Sequence, residues 1–493
     1  MKDLKQRTLQ SGVVKLCSQG VNFLLRLGSL MILARLLDPK DFGIVGMVTA
    51  VTGVFALFKD AGLSLFTIQR STISNEEVST LFWLNILVGA LLTLLCLAAA
   101  PLLATFYHEP RLFWVTVVLA TGFLINAAGV QHSALLQREI RFGVLSAVEI
   151  VSQVASVLVG IGLAMQGFGY WALVGSAVVL PAVSTLGLWV SSAWVPGVPQ
   201  WSADSGRMIR FGGMAVLNSL IMYVAYNLDK VLLGRFWGAE ALGIYGRAFQ
   251  LISIPSDNLT QATGGVLFSA LSRLQDDADR WKKYFLGSYS VMLSLTLPTT
   301  IACALFADDI IMLVLGSKWK DAVIIFQLLA PTILVLAMIS PTYWLLVSIG
   351  RPERSLKIAC VLGPLVIGAY VLGLPYGLRG VAFAYSAVLV LWLVPHMVWC
   401  IQGTTISWRD ILKASGQPFL SAIVAAAVAF VAQLFYGHLF SPFFRFLLGG
   451  GILLLSYLGM LLYVMGQKEF YLDLLRGLRQ RSAVVEKPSV AVL

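Results

Sequence analysis

The stretch KLCSQGVNFLLRLGS (15–29) places Lys15, Gln19, Asn22, Arg26 and Ser29 at spacings of four, three, four and three. On a helix turning about 100° per residue, the five share a sector of about 80°. The surrounding residues are apolar, so this polar stripe belongs to a helix of membrane length with an arginine near its middle. A guanidinium at that depth is unfavourable by about 2.5–3.5 kcal/mol on insertion scales, and it is retained where it faces a wet cavity or a partner. Two readings follow for Arg26. It is the cationic wall of a central cavity, suited to an anionic group such as a phosphate, or it is held by an internal ion pair or by hydrogen bonds to neighbouring helices. Lys15 lies near the inner end, where snorkelling to the interface also accounts for it.

Further candidates sit on the helices expected to face the same cavity. In the span at 211–236, Tyr223, Tyr226, Asn227 and Lys230 form a polar run around Asp229. Asp229 and Lys230 are adjacent and point about 100° apart, so they need not pair with each other. Asp229 could pair with Arg26, take up a proton or cation, or cap charge near the outer surface. Arg247 and Gln250 lie one turn apart in the next span, Glu149 lies in the fifth, and Lys59 and Asp60 stand toward the inner end of the second. Asp229, Glu149 and Asp60 are the candidates for ion coupling. For each of these, local pairing or interfacial placement is the competing reading.

The elements that position these groups follow from composition. Of 493 residues, 58% are hydrophobic and 12% charged, about half the charged fraction of a soluble domain. Apolar blocks of about 20–27 residues recur along the chain, each long enough to cross a ~30 Å hydrocarbon core as a helix. About fourteen such spans fit between residues 12 and 466, among them 42–66, 284–315 and 321–349. They make an all-α polytopic membrane protein. The net charge of +11 then marks inner loops rather than affinity for nucleic acid. With the N-terminus inside, Arg138, Arg141, Arg207, Arg210, Lys282, Lys283, Arg351, Arg354 and Arg409 all fall on the inner side, and an even span count puts both termini there. The five cysteines show no CxxC spacing and the four histidines no metal-ligand spacing. No GxxxxGK[ST] loop is present, and no loop is long enough for a catalytic domain. No enzyme, cofactor or metal is expected.

The chain also repeats itself. ARLLDPKDFGIVG (34–46) aligns with GRFWGAEALGIYG (234–246) at an offset of 200 residues, matching Arg35 with Arg235, Gly43 with Gly243 and Gly46 with Gly246. Both stretches join the first two helices of a six-helix set, and an even number of helices keeps the two sets parallel, as in many secondary transporters. The expected organisation is a first six-helix bundle (1–205), a second (206–405), two further transmembrane helices (406–466) and an amphipathic tail (467–493) suited to the inner membrane surface. Pro255 and Pro341 mark spans that could bend.

The segments KDAGLSLFTIQR (59–70), STLFWLNILVG (79–89), APLLATFYHEP (100–110), ALLQREIRF (134–142), GFGYWALV (167–174), NLDKVLLGRFWGAEALGIYGRAFQL (227–251) and VLGSKWKDA (314–322) resemble the polysaccharide exporters of the multidrug/oligosaccharidyl-lipid/polysaccharide superfamily, in particular the bacterial Wzx-type flippases. The resemblance implies two six-helix bundles around a central cavity with two extra C-terminal helices. It implies transport of undecaprenyl-pyrophosphate-linked oligosaccharide from the inner to the outer leaflet of the bacterial cytoplasmic membrane, for exopolysaccharide, O-antigen or capsule synthesis. A polymerase and glycosyltransferases of the same pathway are the implied partners, beside membrane lipid, and a monomer is expected. The drug-exporting relatives give the alternative, an ion-coupled exporter of small cationic or amphipathic compounds. Against it, residues 12–36 hold Lys15 and Arg26 but no Asp or Glu.

Overall fold

A computed structural model describes residues 2–59, 63–70, 73–199, 205–274, 277–436, 440–473 and 476. Side chains are described except at 2–16, 63, 65, 69, 205–219, 221–222, 259–266, 268–270 and 352. The described residues are helical throughout apart from turns and short connections. In order, they are α1 (Lys2–Leu36), α2 (Pro39–Ala56), α3 (Leu63–Gln69), α4 (Asn75–Tyr107), α5 (Arg111–Arg138), α6 (Phe142–Met165), α7 (Tyr170–Ser192), α8 (Ser205–Arg273), α9 (Ala278–Leu305), α10 (Ala307–Val314), α11 (Ala322–Leu329), α12 (Pro331–Ser348), α13 (Pro352–Gly373), α14 (Gly377–Ile401), α15 (Trp408–Tyr436) and α16 (Pro442–Gly459). Ten stretches among them are long and apolar enough to cross a membrane. Exposed Leu102, Leu158 and Leu186 on α4, α6 and α7 present to the surroundings what a water-soluble protein buries.

Helix boundaries follow local chemistry. Ser74 caps α4: its Oγ accepts from the Glu77 amide at 3.2 Å while the Glu77 carboxylate accepts from the Ser74 amide at 2.9 Å, the reciprocal box that satisfies two orphan donors. Pro39 opens α2 where a missing N–H costs nothing. Within α8, Gly238 adopts φ 82°, ψ −178°, a conformation with little cost only for glycine. It divides the helix into limbs 205–237 and 239–273.

Two expected continuous spans are broken. The stretch 42–66 is interrupted between α2 and α3, where Lys59, Asp60 and Gly62 replace apolar residues. The stretch 284–315 breaks at Phe306, just before Asp308 and Asp309 open α10. The stretch 321–349 holds as one candidate span, Ala322–Ser348, with a turn at Ala330 where Pro331 cannot donate to the preceding turn. Pro255 and Pro341 are carried inside α8 and α12.

The chain forms two compact units. The first contains Met1–Arg247, Val314–Ala322 and Ala359–Tyr385. In it α1 packs on α6, α6 on α7, and α5 on both α4 and α7. Trp319, fully buried, donates from Nε1 to the Ala34 carbonyl at 2.8 Å and meets the Phe42 ring edge-on at 5.3 Å. The second unit contains Ala248–Leu313, Val323–Ile358 and Ser386–Leu493. Its core includes the stacked series Trp281, Phe285 and Tyr289 on α9. There Tyr471 is hydrogen-bonded to Ser294, which fastens the start of the C-terminal tail to α9; the remaining tail residues, 474–475 and 477–493, lie outside the described set.

Candidate functional site

Within the first unit the polar stripe of α1 divides between packing and cavity. Ser18, a near neighbour of the stripe, donates to Ser146 Oγ of α6 at 2.9 Å, and Asn22, 6% exposed, is turned into the protein. Gln19 and Arg26 are exposed instead, and each lines a cavity. The Gln19 cavity, about 350 Å³, is bounded by Ser133 and Gln137 of α5, Glu149 of α6 and Ser184 of α7. The Arg26 cavity, about 400 Å³, is bounded by Lys59, by Phe123 and Asn126 of α5, and by Glu149, Gln153 and Ser184. Glu149 and Ser184 line both cavities, which therefore adjoin as one groove.

The groove holds two cations and one carboxylate. Among the described residues, Arg26, Lys59 and Glu149 form no side-chain hydrogen bond and no ion pair. All three are exposed, so water or a ligand in the groove completes them. With Arg26 and Lys59 outnumbering Glu149, the wall is suited to an anion. Ser29 is half-buried further along α1. The Lys15 side chain and Asp60 lie outside the described residues.

The α8 candidates, Gln250 apart, lie elsewhere in the first unit. Tyr223 donates its hydroxyl toward the carbonyls of Thr49 and Ala50 on α2, at 3.3 and 3.2 Å. Asn227 donates to the Tyr223 carbonyl at 2.9 Å and accepts from Lys230 Nζ at 2.7 Å. Asp229 is fully buried and accepts from the Tyr245 hydroxyl and from the Lys230 amide, both at 2.8 Å. Its partners are thus on α8 itself, not Arg26. Tyr226 is half-buried on the same limb. Arg247 lies over the Phe42 ring at 4.2 Å from its centroid, and Gln250 is exposed in the second unit.

Sequence reasoning missed Asn126, Gln153 and Tyr245. Gln153 stands one turn after Glu149, and Asn126 one turn after Gly122, in otherwise apolar spans. That i, i+4 register was the available signal. Tyr245 lies 16 residues from Asp229, beyond the break at Gly238, and nothing in the spacing announces the bond.

The chain is similar to known proteins. The lipopolysaccharide biosynthesis protein WzxC of Escherichia coli (strain K12) is 25% identical over 435 residues, covering 87% of this chain and 88% of its own. The teichuronic acid biosynthesis protein TuaB of Bacillus subtilis (strain 168) is 28% identical over 409 residues, covering 78% and 80%. The solved lipid II flippase MurJ, in an inward closed conformation, superposes with a TM-score of 0.74 over 95% of this chain and 100% of that one, at 13% identity; at that identity the likeness concerns the fold. The chain is a multi-pass helical membrane protein, and residues 32–324 match the polysaccharide biosynthesis protein family, to which it belongs.

Proposed function

We propose that this protein flips undecaprenyl-pyrophosphate-linked oligosaccharide from the inner to the outer leaflet of the bacterial cytoplasmic membrane, in exopolysaccharide, O-antigen or capsule synthesis. The observation that carries the proposal is the groove in the first unit, where Arg26 and Lys59 stand without a counter-charge in contact. A pyrophosphate would supply that charge, through charge-assisted bonds that a neutral headgroup cannot make. Stripe residues Lys15, Gln19 and Ser29 and the first-unit α8 residues Tyr223, Tyr226, Asn227, Lys230 and Arg247 complete the proposed path of the headgroup. The names of WzxC and TuaB are consistent with this role, as is a MurJ-like fold.

The fourteen-span arrangement belongs to the same proposal. It follows if α2 and the two limbs of α8 each cross the membrane and α13 and α14 cross separately. Both termini are then cytoplasmic. The reciprocal packing of Gly43 and Gly243 supports two parallel repeats at 1–205 and 206–405. An inside-negative potential would assist outward movement of the anionic head by about 2.3 kcal/mol per elementary charge per 100 mV, and Asp229, Glu149 or Asp60 would carry any coupled ion. A polymerase and glycosyltransferases of the same pathway are the proposed partners.

The test is flipping in proteoliposomes of labelled undecaprenyl-pyrophosphate oligosaccharide, comparing wild type with Arg26→Ala. We expect transport by wild type and its loss in the variant. Equal rates would overturn the anion-site role of Arg26. No flipping by folded wild type, together with uptake of a cationic dye, would replace the flippase with an exporter of small cations.

A further inference from the structure

Arg235, the repeat mate of Arg35, stands beside a histidine. Its Nη1 lies 2.7 Å from Nδ1 of His108, and its guanidinium lies over the Phe106 ring, 5.5 Å from the centroid. Between these contacts Tyr107, 6% exposed, fills the space that Gly234 leaves open, its ring 2.9 Å from where a Cβ would be. Three consecutive residues at the end of α4 thus hold two consecutive residues of the first limb of α8, one turn before the break at Gly238. Two residues on, Trp237 donates from Nε1 to the Leu374 carbonyl of the α13–α14 connection at 2.9 Å. All of these residues belong to the first unit.

The bond between His108 and Arg235 exists in one protonation state only. A guanidinium donates and never accepts, so Nδ1 carries the lone pair, Nε2 the hydrogen, and the imidazole is neutral. A proton on Nδ1 removes the acceptor and sets two cations side by side. His108 is exposed, so solvent protons reach it, and imidazole is the side chain that changes charge near neutral pH. Among the described residues neither side chain has another hydrogen-bond or ion-pair partner. The other charged groups at this end of the unit lie on the elements that meet α4. In the α4–α5 turn Glu109 pairs with Arg111 at 3.1 Å. At the start of α2, Asp38 pairs with Lys318 at 2.8 Å, the Asp41 carboxylate accepts from the Asp38 amide at 3.1 Å, and Lys40 stands between them. Glu240 opens the second limb of α8. The carbonyl end of α4 and the Glu109 carboxylate favour an imidazolium at this cap, and Arg235 opposes it.

We propose that His108 and Arg235 form a pH-sensitive latch at the outer end of the first unit. It is closed while the imidazole is neutral, and acid on the outer side releases α4 from the first limb of α8. The two helices come from the two proposed repeats, 1–205 and 206–405. The bond therefore ties one repeat to the other on the side that an alternating-access cycle must open to deliver its cargo. The sidedness rests on the orientation proposed above; the bond and its dependence on protonation do not.

The experiment is hydrogen exchange, read by mass spectrometry on the full chain in nanodiscs without substrate, each rate being referred to the intrinsic rate at the same pH. Between about pH 8 and about pH 5, protection of 103–112 and 232–240 should fall at least about fivefold in wild type. His108→Asn keeps an acceptor near the place of Nδ1, does not titrate, and tolerates the left-handed φ of 55° at this position. In that variant the same protection should change by less than about 1.5-fold. Arg235→Leu has no donor to offer and should exchange at about pH 8 as wild type does at about pH 5. The segment 133–141, at the inner end of α5, should stay protected throughout and so reports folding in every sample. An unresponsive wild type, a wild-type-sized response in His108→Asn, or full protection of Arg235→Leu at about pH 8 overturns the latch. Transport plays no part in the readout, so the flippase reading stands or falls separately.

Discussion

Gly43 and Gly243 stand 200 residues apart in sequence and make reciprocal contacts in space. A Cβ at Gly43 would lie 1.6 Å from the Ala239 carbonyl oxygen, and a Cβ at Gly243 would lie 1.8 Å from the Pro39 carbonyl oxygen. Ala239 and Pro39 are themselves 200 residues apart, so the start of α2 and the start of the second limb of α8 pack backbone to backbone through corresponding positions. Further along α2, Gly53 makes room for the Tyr223 hydroxyl, 1.8 Å from where its Cβ would be. Any side chain at 43 or 243 must part the crossing by more than 1 Å. Gly43→Val and Gly243→Val should each destabilise the protein by about 1–3 kcal/mol and slow flipping. Gly246→Ala, the repeat mate of Gly46 with nothing within 4 Å, should do neither. Thermal midpoints and proteoliposome flipping of the three variants decide it; tolerance of valine at both crossing positions would show that the contact is dispensable.

Arg26 is a fork, not only a charge. If a pyrophosphate engages it through two parallel bonds, Arg26→Lys keeps the charge and loses the geometry. Affinity for an unsubstituted isoprenyl pyrophosphate should fall by about tenfold in Arg26→Lys and by at least about a hundredfold in Arg26→Gln. Calorimetry on the two variants separates the contributions. A lysine variant equal to wild type would mean that a point charge at this depth suffices.

The α1 stripe was legible because a 3–4 spacing in an apolar helix leaves few faces on which polar groups can lie. The break between the limbs of α8 was legible through the repeat, which set WGAE against the turn after Leu37. The α5 and α6 amides of the Arg26 cavity were not. Asn126 and Gln153 are single amides on different helices, and only packing of α5 and α6 against the same space brings them together. Continuity across 42–66 was misjudged for a related reason: hydropathy averaged over a window hides a short polar interruption such as Lys59 and Asp60. The division of the stripe was also invisible, since periodicity identifies a face but does not say that Asn22 would be buried and Gln19 and Arg26 left open.

In the second unit two ion pairs differ by burial, and their consequences should differ accordingly. Arg445 reaches Asp309 at 2.7 Å, and that carboxylate is 4% exposed. Lys282 reaches Asp410 at 2.6 Å with both side chains about a quarter exposed. Removing one partner of a buried pair strands the other, so Arg445→Ala should destabilise by about 3–5 kcal/mol. Lys282→Ala should cost about 1 kcal/mol or less, because water replaces the lost partner. Denaturation in matched detergent measures both, and comparable losses would mean that the Asp309 carboxylate is served by other donors.

The bond between Asp229 and Tyr245 spans the break at Gly238, joining the two limbs of α8 through a fully buried carboxylate. An ionised carboxylate only accepts, whereas a protonated one also donates. A change of charge at Asp229 therefore changes what Tyr245 and the Lys230 amide can offer it. If this group carries the coupled ion, Asp229→Asn should keep the fold, since an amide oxygen still accepts from Tyr245, but flipping should no longer respond to a proton or sodium gradient. Tyr245→Phe should leave the carboxylate short of a donor and cost about 1–3 kcal/mol while the gradient response persists. Measuring flipping with and without an imposed gradient, beside the thermal midpoint, separates the roles. A full gradient response in Asp229→Asn would assign the carboxylate to holding the angle between the limbs, and Glu149 and Asp60 would then be the remaining acidic candidates for coupling.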